Sequence, residues 1–232
     1  MPLVILCGLP ISGKSKRAEE LYKFFESTTK TVLIQDDNST SNFVRNEVYA
    51  DAQKEKELRS SLKSQVERHL SKDTVVILDS GNYIKGYRYE LYCLSKSCKT
   101  THCVIHCDVL PSDCWLFNES RVPPTQYDRN IFDALELRFE PPDSRNRWDS
   151  PLFTVHKDEV VPLKDIQEAL FMRKAPPPNL STQNPPLSST NFLYDLDKVT
   201  QGIVKVILNA QKGCEPGDSI TVPDADQKVS FC

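Results

Sequence analysis

Leu3-Val4-Ile5-Leu6-Cys7-Gly8-Leu9-Pro10-Ile11-Ser12-Gly13-Lys14-Ser15 passes from an unbroken apolar run into a glycine-bounded loop, and its reading decides the fold. A short apolar run closed by glycine fits a strand buried on both faces, as in a parallel sheet. From Lys14 the sequence K-S-K-R-A-E-E-L-Y-K-F-F-E has few breakers and sets Ala18, Leu21 and Phe25 on one face, so a helix follows the loop. Between strand and helix, Gly8 to Ser15 satisfies G-x-x-x-x-G-K-[ST] in the context that the motif requires. Its glycines let backbone N–H groups wrap phosphate oxygens, and the helix N-terminus adds positive potential. Lys14 then reaches the outer phosphates and Ser15 ligates Mg²⁺. The expected ligands are ATP and Mg²⁺, held by Gly8, Leu9, Pro10, Ile11, Ser12, Gly13, Lys14 and Ser15.

Outward from this loop, Thr31 to Ile34 is a second β-branched run that ends in Gln35-Asp36-Asp37-Asn38. Polar residues at a strand's carboxyl end line the ligand crevice of an open α/β sheet. Asp36 or Asp37 is expected to orient or deprotonate the nucleophile, whether water or a substrate hydroxyl; capping a following turn is the alternative. Ala52 to Leu70 carries Leu58, Leu62, Val66 and Leu70 amid charges, the pattern of an amphipathic helix. Thr74-Val-Val-Ile-Leu-Asp79 is a strand almost free of polar residues before its last one. Asp79 is expected to hold Mg²⁺ through water, opposite Ser15, with a helix-capping role as the alternative. Tyr83 to Ser97 reads as helix and Cys103 to Cys107 as strand. This alternation predicts an α/β fold, a doubly wound parallel sheet of the P-loop NTPase, kinase-like kind with helices on both faces.

Tyr127 to Phe139 is helical by pattern, and Pro141-Pro142-Asp-Ser-Arg145-Asn-Arg147-Trp148 is a charged loop. Arg145 and Arg147 are expected to close over the phosphates as lid arginines and neutralise charge developing in transfer, or else to sit on a solvated loop. Arg129 and Arg138 are weaker candidates for the same task. Leu152 to Val155 predicts a last strand and Leu163 to Arg173 a closing helix, so the nucleotide-binding domain spans residues 1–174. Prolines, serines and threonines mark 175–190 as a linker. Residues 191–232 are expected to form a truncated helical C-terminal segment with a stripe from Phe192 to Ala210, then a poorly ordered tail after Gly213. The loop from Asp108 to Gln126 receives no role.

A net charge of −3 over 232 residues gives no global field for nucleic acid, so RNA binding needs a local basic patch. No apolar run approaches the roughly 18 to 20 residues that span a bilayer, and the N-terminus lacks a basic signal-peptide region. A cytoplasmic and also nuclear location is expected, with the cysteines reduced. His102-Cys103 and His106-Cys107 invite a zinc reading, yet a strand turns Cys103 and Cys107 to one face and both histidines to the other.

The P-loop, the segment Val76-Ile-Leu-Asp79-Ser-Gly-Asn82-Tyr83-Ile-Lys-Gly-Tyr-Arg88 and the stretch Pro142-Asp-Ser-Arg145-Asn-Arg147-Trp148-Asp-Ser-Pro-Leu-Phe together resemble the Elongator-associated ATPase family called killer toxin insensitivity protein twelve. The likeness extends to about Ile220, with a more distant one to phosphoseryl-tRNA kinase. The family continues with further helices past the position of Val229, hence the expected truncation. The resemblance implies tRNA-stimulated ATP hydrolysis that supports the Elongator complex in wobble-uridine modification, with tRNA bound partly by the C-terminal segment. It assigns nucleotide and Mg²⁺ to Lys14 and Ser15, the Walker B role to Asp79, the switch aspartate to Asp36 or Asp37, and the lid to Arg145 and Arg147. The other readings are a small kinase acting on an RNA-linked or small-molecule hydroxyl, and a nucleotide-gated adaptor without turnover.

Overall fold

The computed structural model describes residues 2–36, 43–71, 73–177, 192–213, 215, 218–222 and 229–230. The chain divides into two compact units, Met1–Asn179 and Leu180–Cys232. In the first, β1 (Leu3–Gly8), α1 (Lys14–Glu26), β2 (Lys30–Gln35), α2 (Arg45–Ala50), α3 (Ala52–His69) and β3 (Thr74–Asp79) come first. They are followed by α4 (Lys85–Ser97), β4 (His102–Asp108), α5 (Pro111–Glu119), α6 (Arg129–Leu137), β5 (Leu152–His156) and α7 (Leu163–Phe171).

The strands form one five-stranded parallel sheet in the order β2-β3-β1-β4-β5. Every residue of β1 and β3 is buried, which is why both read as unbroken apolar runs. Successive side chains alternate between two covered faces. Leu3, Ile5, Val76, Leu78 and Val104 pack with Leu58, Leu62 and Val66 of α3, Leu91 of α4 and Leu135 of α6. Val4, Leu6, Val75, Ile77 and Ile105 pack on Ala18, Leu21 and Phe25 of α1 and on Ile166 and Leu170 of α7. Each fully buried Leu or Phe in these layers contributes about 1.5–3 kcal/mol of transfer free energy. Asp51 starts α3 by accepting from the backbone N–H groups of Gln53 and Lys54, a cap worth about 1 kcal/mol.

Two helices lie where the sequence reading has none. The short α2 carries Tyr49 inward. The stretch Asp108 to Gln126 is helical over α5, with Pro111 at its first position, and then makes a short 3-10 turn at Pro123–Thr125. Asn118 is buried, and its amide donates to the Tyr127 carbonyl while its Oδ1 accepts from the Tyr127 N–H. That pair folds the segment back along the head of α6. The helices expected from Tyr83 and Tyr127 begin instead at Lys85 and Arg129, and the one expected to reach Arg173 ends at Phe171.

The second unit contains α8 (Phe192–Ala210) and an antiparallel pair, β6 (Ser219–Ile220) with β7 (Val229–Ser230). Both short strands fall after Gly213, in the stretch expected as a poorly ordered tail, much of which lies outside the described residues. Ser219-Ile-Thr-Val222 is rich in β-branched residues and Val222 is buried, whereas a search for helical periodicity passes over so short a strand. Most of the linker expected over 175–190 lies outside the described residues.

Candidate nucleotide site

The loop after β1 is shaped by backbone that side chains tolerate poorly. Gly8 has φ 151°, and a Cβ there would stand 2.6 Å from the Cys107 carbonyl oxygen of the neighbouring strand. Gly13 is left-handed at φ 83° and forms the N-cap of α1. Ile11 also takes positive φ, at 61°, strain of order 1–3 kcal/mol for a β-branched residue. Strain of this kind persists where the surroundings over-determine the loop, and here they do. The Ser12 N–H donates to the Leu9 carbonyl at 3.2 Å, and the buried Arg17 ties α1 to the end of β5 through the His156 carbonyl at 2.6 Å. Lys14 Nζ lies back across the loop and donates to the Gly8 and Leu9 carbonyls at 3.1 and 2.6 Å.

Gly8, Pro10, Ile11, Gly13, Lys14 and Ser15 line a cleft of about 150 Å³. Leu9 instead turns its side chain down into a small apolar cluster with Val109, Cys114 and Phe132. Ser12 is buried on the other side of the loop.

Sheet register brings two carboxylates to the same cleft. Asp79 ends β3 level with Leu6 on one side and Gln35 on the other, so its carboxylate emerges beside the phosphate loop. Asp79 Oδ2 accepts from Gln35 Nε2 at 3.1 Å, and its Oδ1 has no protein donor among the described residues. Asp36 follows directly after β2 and accepts a 2.7 Å hydrogen bond from Tyr49 of α2. Burial pushes its carboxyl up to about 6, the Asp79 charge adds to that, and the Tyr49 and Ser80 hydroxyls and the Lys14 charge oppose it. Asp37 lies outside the described residues.

The arginines of this cleft are Arg45 and Arg121, which the sequence reading missed. Arg45 lies over the Tyr127 ring at 5.2 Å and donates to the Thr125 carbonyl, so the segment between α5 and α6 presents both. Tyr49, Tyr83, Tyr127, Leu135 and Phe139 complete the wall.

Arg145 and Arg147, expected as the lid, are not among the residues that line this cleft, and their placement is a correction. Asp149, two residues past Arg147, is pulled into a buried pair with Arg88, while Trp148 packs against Tyr89 and under Lys85. These contacts hold the loop against α4. Arg145 is exposed and chelates Asp143 at 2.6 Å. Of the weaker candidates, Arg129 stacks on Trp115 and Arg138 pairs with the buried Glu55. Cys103 and Cys107 join the layer under α1, whereas His102 meets Tyr92 and His106 stacks on Phe139.

A glycine loop hung from a central parallel strand, with an acidic end on the adjacent strand, defines a P-loop NTPase of the kinase-like type. A putative kinase from Chloroflexus aurantiacus shares this fold, with a TM-score of 0.54 at 15% identity over 73% of this chain and 98% of that one. The family profile described as "Chromatin associated protein KTI12" matches residues 1–232, and the chain belongs to the KTI12 family. It is 58% identical to a KTI12 homolog of Xenopus laevis, over all of this chain and 84% of that protein. The corresponding figures for kti12 of Schizosaccharomyces pombe are 41%, all of this chain and 83%. The structure of Chaetomium thermophilum Kti12 in complex with ADP-AlF3 is 33% identical, with a TM-score of 0.62 over 73% of this chain and 99% of that chain. Among the described residues no helix is long and apolar enough to cross a membrane.

Proposed function

We propose that the chain binds ATP with Mg²⁺ in the P-loop cleft and hydrolyses it, and that tRNA stimulates this turnover in support of the Elongator complex during wobble-uridine modification. The observation that carries the hydrolytic reading is the meeting of Lys14, Ser15, Asp79 and an Asp36 with raised pKa in one cleft. The crystal complex of the Chaetomium relative supports it, because ADP with a trigonal fluoride has the shape of a phosphoryl group in transfer.

The donor set fits the ligands. A Cβ at Gly8 would displace the loop that wraps the phosphates. The Ser15 hydroxyl and Asp79 Oδ1, hard oxygens in one cleft, are the groups to hold Mg²⁺, Asp79 through water. Bound there, the ion would supply charge neutralisation to the phosphates. Lys14 exchanges its bonds to Gly8 and Leu9 for phosphate oxygens. Asp36, held by Tyr49, orients the attacking water and accepts its proton. Arg45 and Arg121, which both line the cleft, take the charge-neutralising task first given to Arg145 and Arg147.

The tRNA and Elongator parts rest on family membership, and the family description supports a nuclear pool. The test is ADP release from Mg²⁺-ATP with and without bulk tRNA at low salt, with Lys14→Ala as control. Turnover that rises with tRNA and vanishes in the variant is expected. Turnover that survives Lys14→Ala refutes the site, and turnover indifferent to tRNA refutes the coupling. Phosphorylated RNA formed in step with ADP would instead favour the kinase reading.

A further inference from the structure

A second cavity, of about 280 Å³, opens at the amino end of β4. β1 pairs with β4 from Leu3 and His102 through to Gly8 and Cys107, so this cavity and the P-loop stand at opposite ends of the same strand pair. At about 3.3 Å per residue they are roughly 16 Å apart. The wall carries Arg147 from the loop before β5 and Arg173 and Lys174 from just past α7, with no Asp or Glu among the described residues that line it. All three cations are exposed, and among the described residues none makes a side-chain hydrogen bond or an ion pair. Asp149, the acid whose charge is felt at His102, is already engaged by Arg88.

The remaining polar group in the wall that could titrate near neutrality does not compete for the ligand. His102 is buried, which lowers its pKa to about 4 with Arg173 adding to the shift, so the ring is neutral at physiological pH. Its Nε2 faces the Trp148 carbonyl at 3.2 Å and therefore donates there. The positive charge of the cavity thus comes from the three long side chains that line it with His102. Aromatic surface adjoins it: Tyr92 lines the wall and Tyr89, 40% exposed, stands edge-on to Trp148 at 5.4 Å.

Unpaired cations interleaved with aromatic rings are the pattern that holds the backbone of a single nucleic-acid strand while its bases stack. The geometry points to a phosphate-ester site in which Arg147, Arg173 and Lys174 grip a phosphate group of an RNA strand. In a chain of net charge −3, this is the local basic patch on which RNA binding would depend. The site is independent of hydrolysis in the P-loop cleft, which Lys14→Ala tests separately.

The experiment compares the wild-type chain with the triple variant R147Q/R173Q/K174Q, all exposed positions, in two arms. The first follows the His102 ring by NMR as inorganic phosphate is added against potassium chloride of equal ionic strength. The second measures affinity for bulk tRNA as a function of salt. The expected result is a phosphate-dependent shift of His102 that the variant loses, weaker tRNA binding, and a log–log salt slope smaller by about 0.7, the share of one phosphate contact on a single strand. A His102 shift with unchanged tRNA binding overturns the RNA assignment and gives the site to a free phosphorylated molecule. A silent His102 together with an unchanged salt slope overturns the proposal. If the wild-type chain binds no tRNA at all, the RNA coupling under Proposed function fails, and the phosphate arm alone decides this site.

Discussion

Replacing Asp149 with alanine would leave the Arg88 guanidinium charged in a site where both side chains are wholly inaccessible to solvent. Arg88 Nε donates to Asp149 Oδ1 at 2.7 Å, and Nη1 donates to the Asn82 carbonyl at 3.0 Å. The second carboxylate oxygen accepts from the Asp143 N–H. Arg88 Nη2 has no partner among the described residues even in the intact site, and the Asn82 carbonyl, a neutral acceptor, cannot replace the lost carboxylate. Breaking a buried pair from one side costs about 3–5 kcal/mol, because the other charge stays buried. For a unit of this size, at 2–4 °C per kcal/mol, the melting temperature falls by about 6–20 °C. Intrinsic fluorescence is a clean assay, since the chain has 2 tryptophans, Trp115 and Trp148, both in the first unit. Arg88→Met combined with Asp149→Ala should recover part of the loss, since no unpaired charge remains. If Asp149→Ala costs under about 1 kcal/mol, or if the double variant loses the sum of the two single losses, the reasoning about the pair is wrong.

Gly8→Ala should abolish nucleotide binding measured by calorimetry, because its Cβ would stand 2.6 Å from a backbone oxygen of β4; tight binding in that variant would contradict the built cradle. Tyr49→Phe removes the donor that favours ionised Asp36, so the acidic inflexion of kcat/KM, expected near pH 6, should move up by about one unit. An inflexion that stays in place would remove Asp36 from the proton-accepting role. The same carboxyl binds its proton more tightly folded than unfolded, so without nucleotide it lowers stability as pH rises from about 4 to about 6. The loss reaches up to about 3 kcal/mol, and Asp36→Asn should flatten that part of the denaturation profile.

The centre of the sheet was legible because β1 and β3 are buried on both faces and read as apolar runs, while its helices carry period-3.6 stripes such as Leu58, Leu62 and Val66. α5 was not legible because its pattern is inverted: Leu116 and Phe117 are exposed while the polar Asn118 is buried. Losing α5 meant losing Arg121, and losing α2 meant losing Arg45 and Tyr49, so the basic and aromatic wall of the cleft stayed invisible. The positions of the glycine loop and of Asp79 in the cleft were legible because local spacing and strand-end placement fix them. Arg145 and Arg147 misled because a polar arginine loop between prolines has a lid's composition. Its location is set by Asp149, whose partner Arg88 lies 61 positions away in the sequence.

The sheet order gives the two halves of the cleft different mechanical stiffness. The phosphate loop hangs from β1, clamped between two strands and buried along its whole length. Asp36 hangs from β2, an edge strand that is only half-buried along most of its length. Amide exchange should be slowest in β1 and appreciably faster in β2. A partner that pressed on or released the edge strand could therefore move the proton acceptor while leaving the phosphate grip unchanged. Such a contact would act as a throttle on turnover, altering kcat at constant affinity for nucleotide.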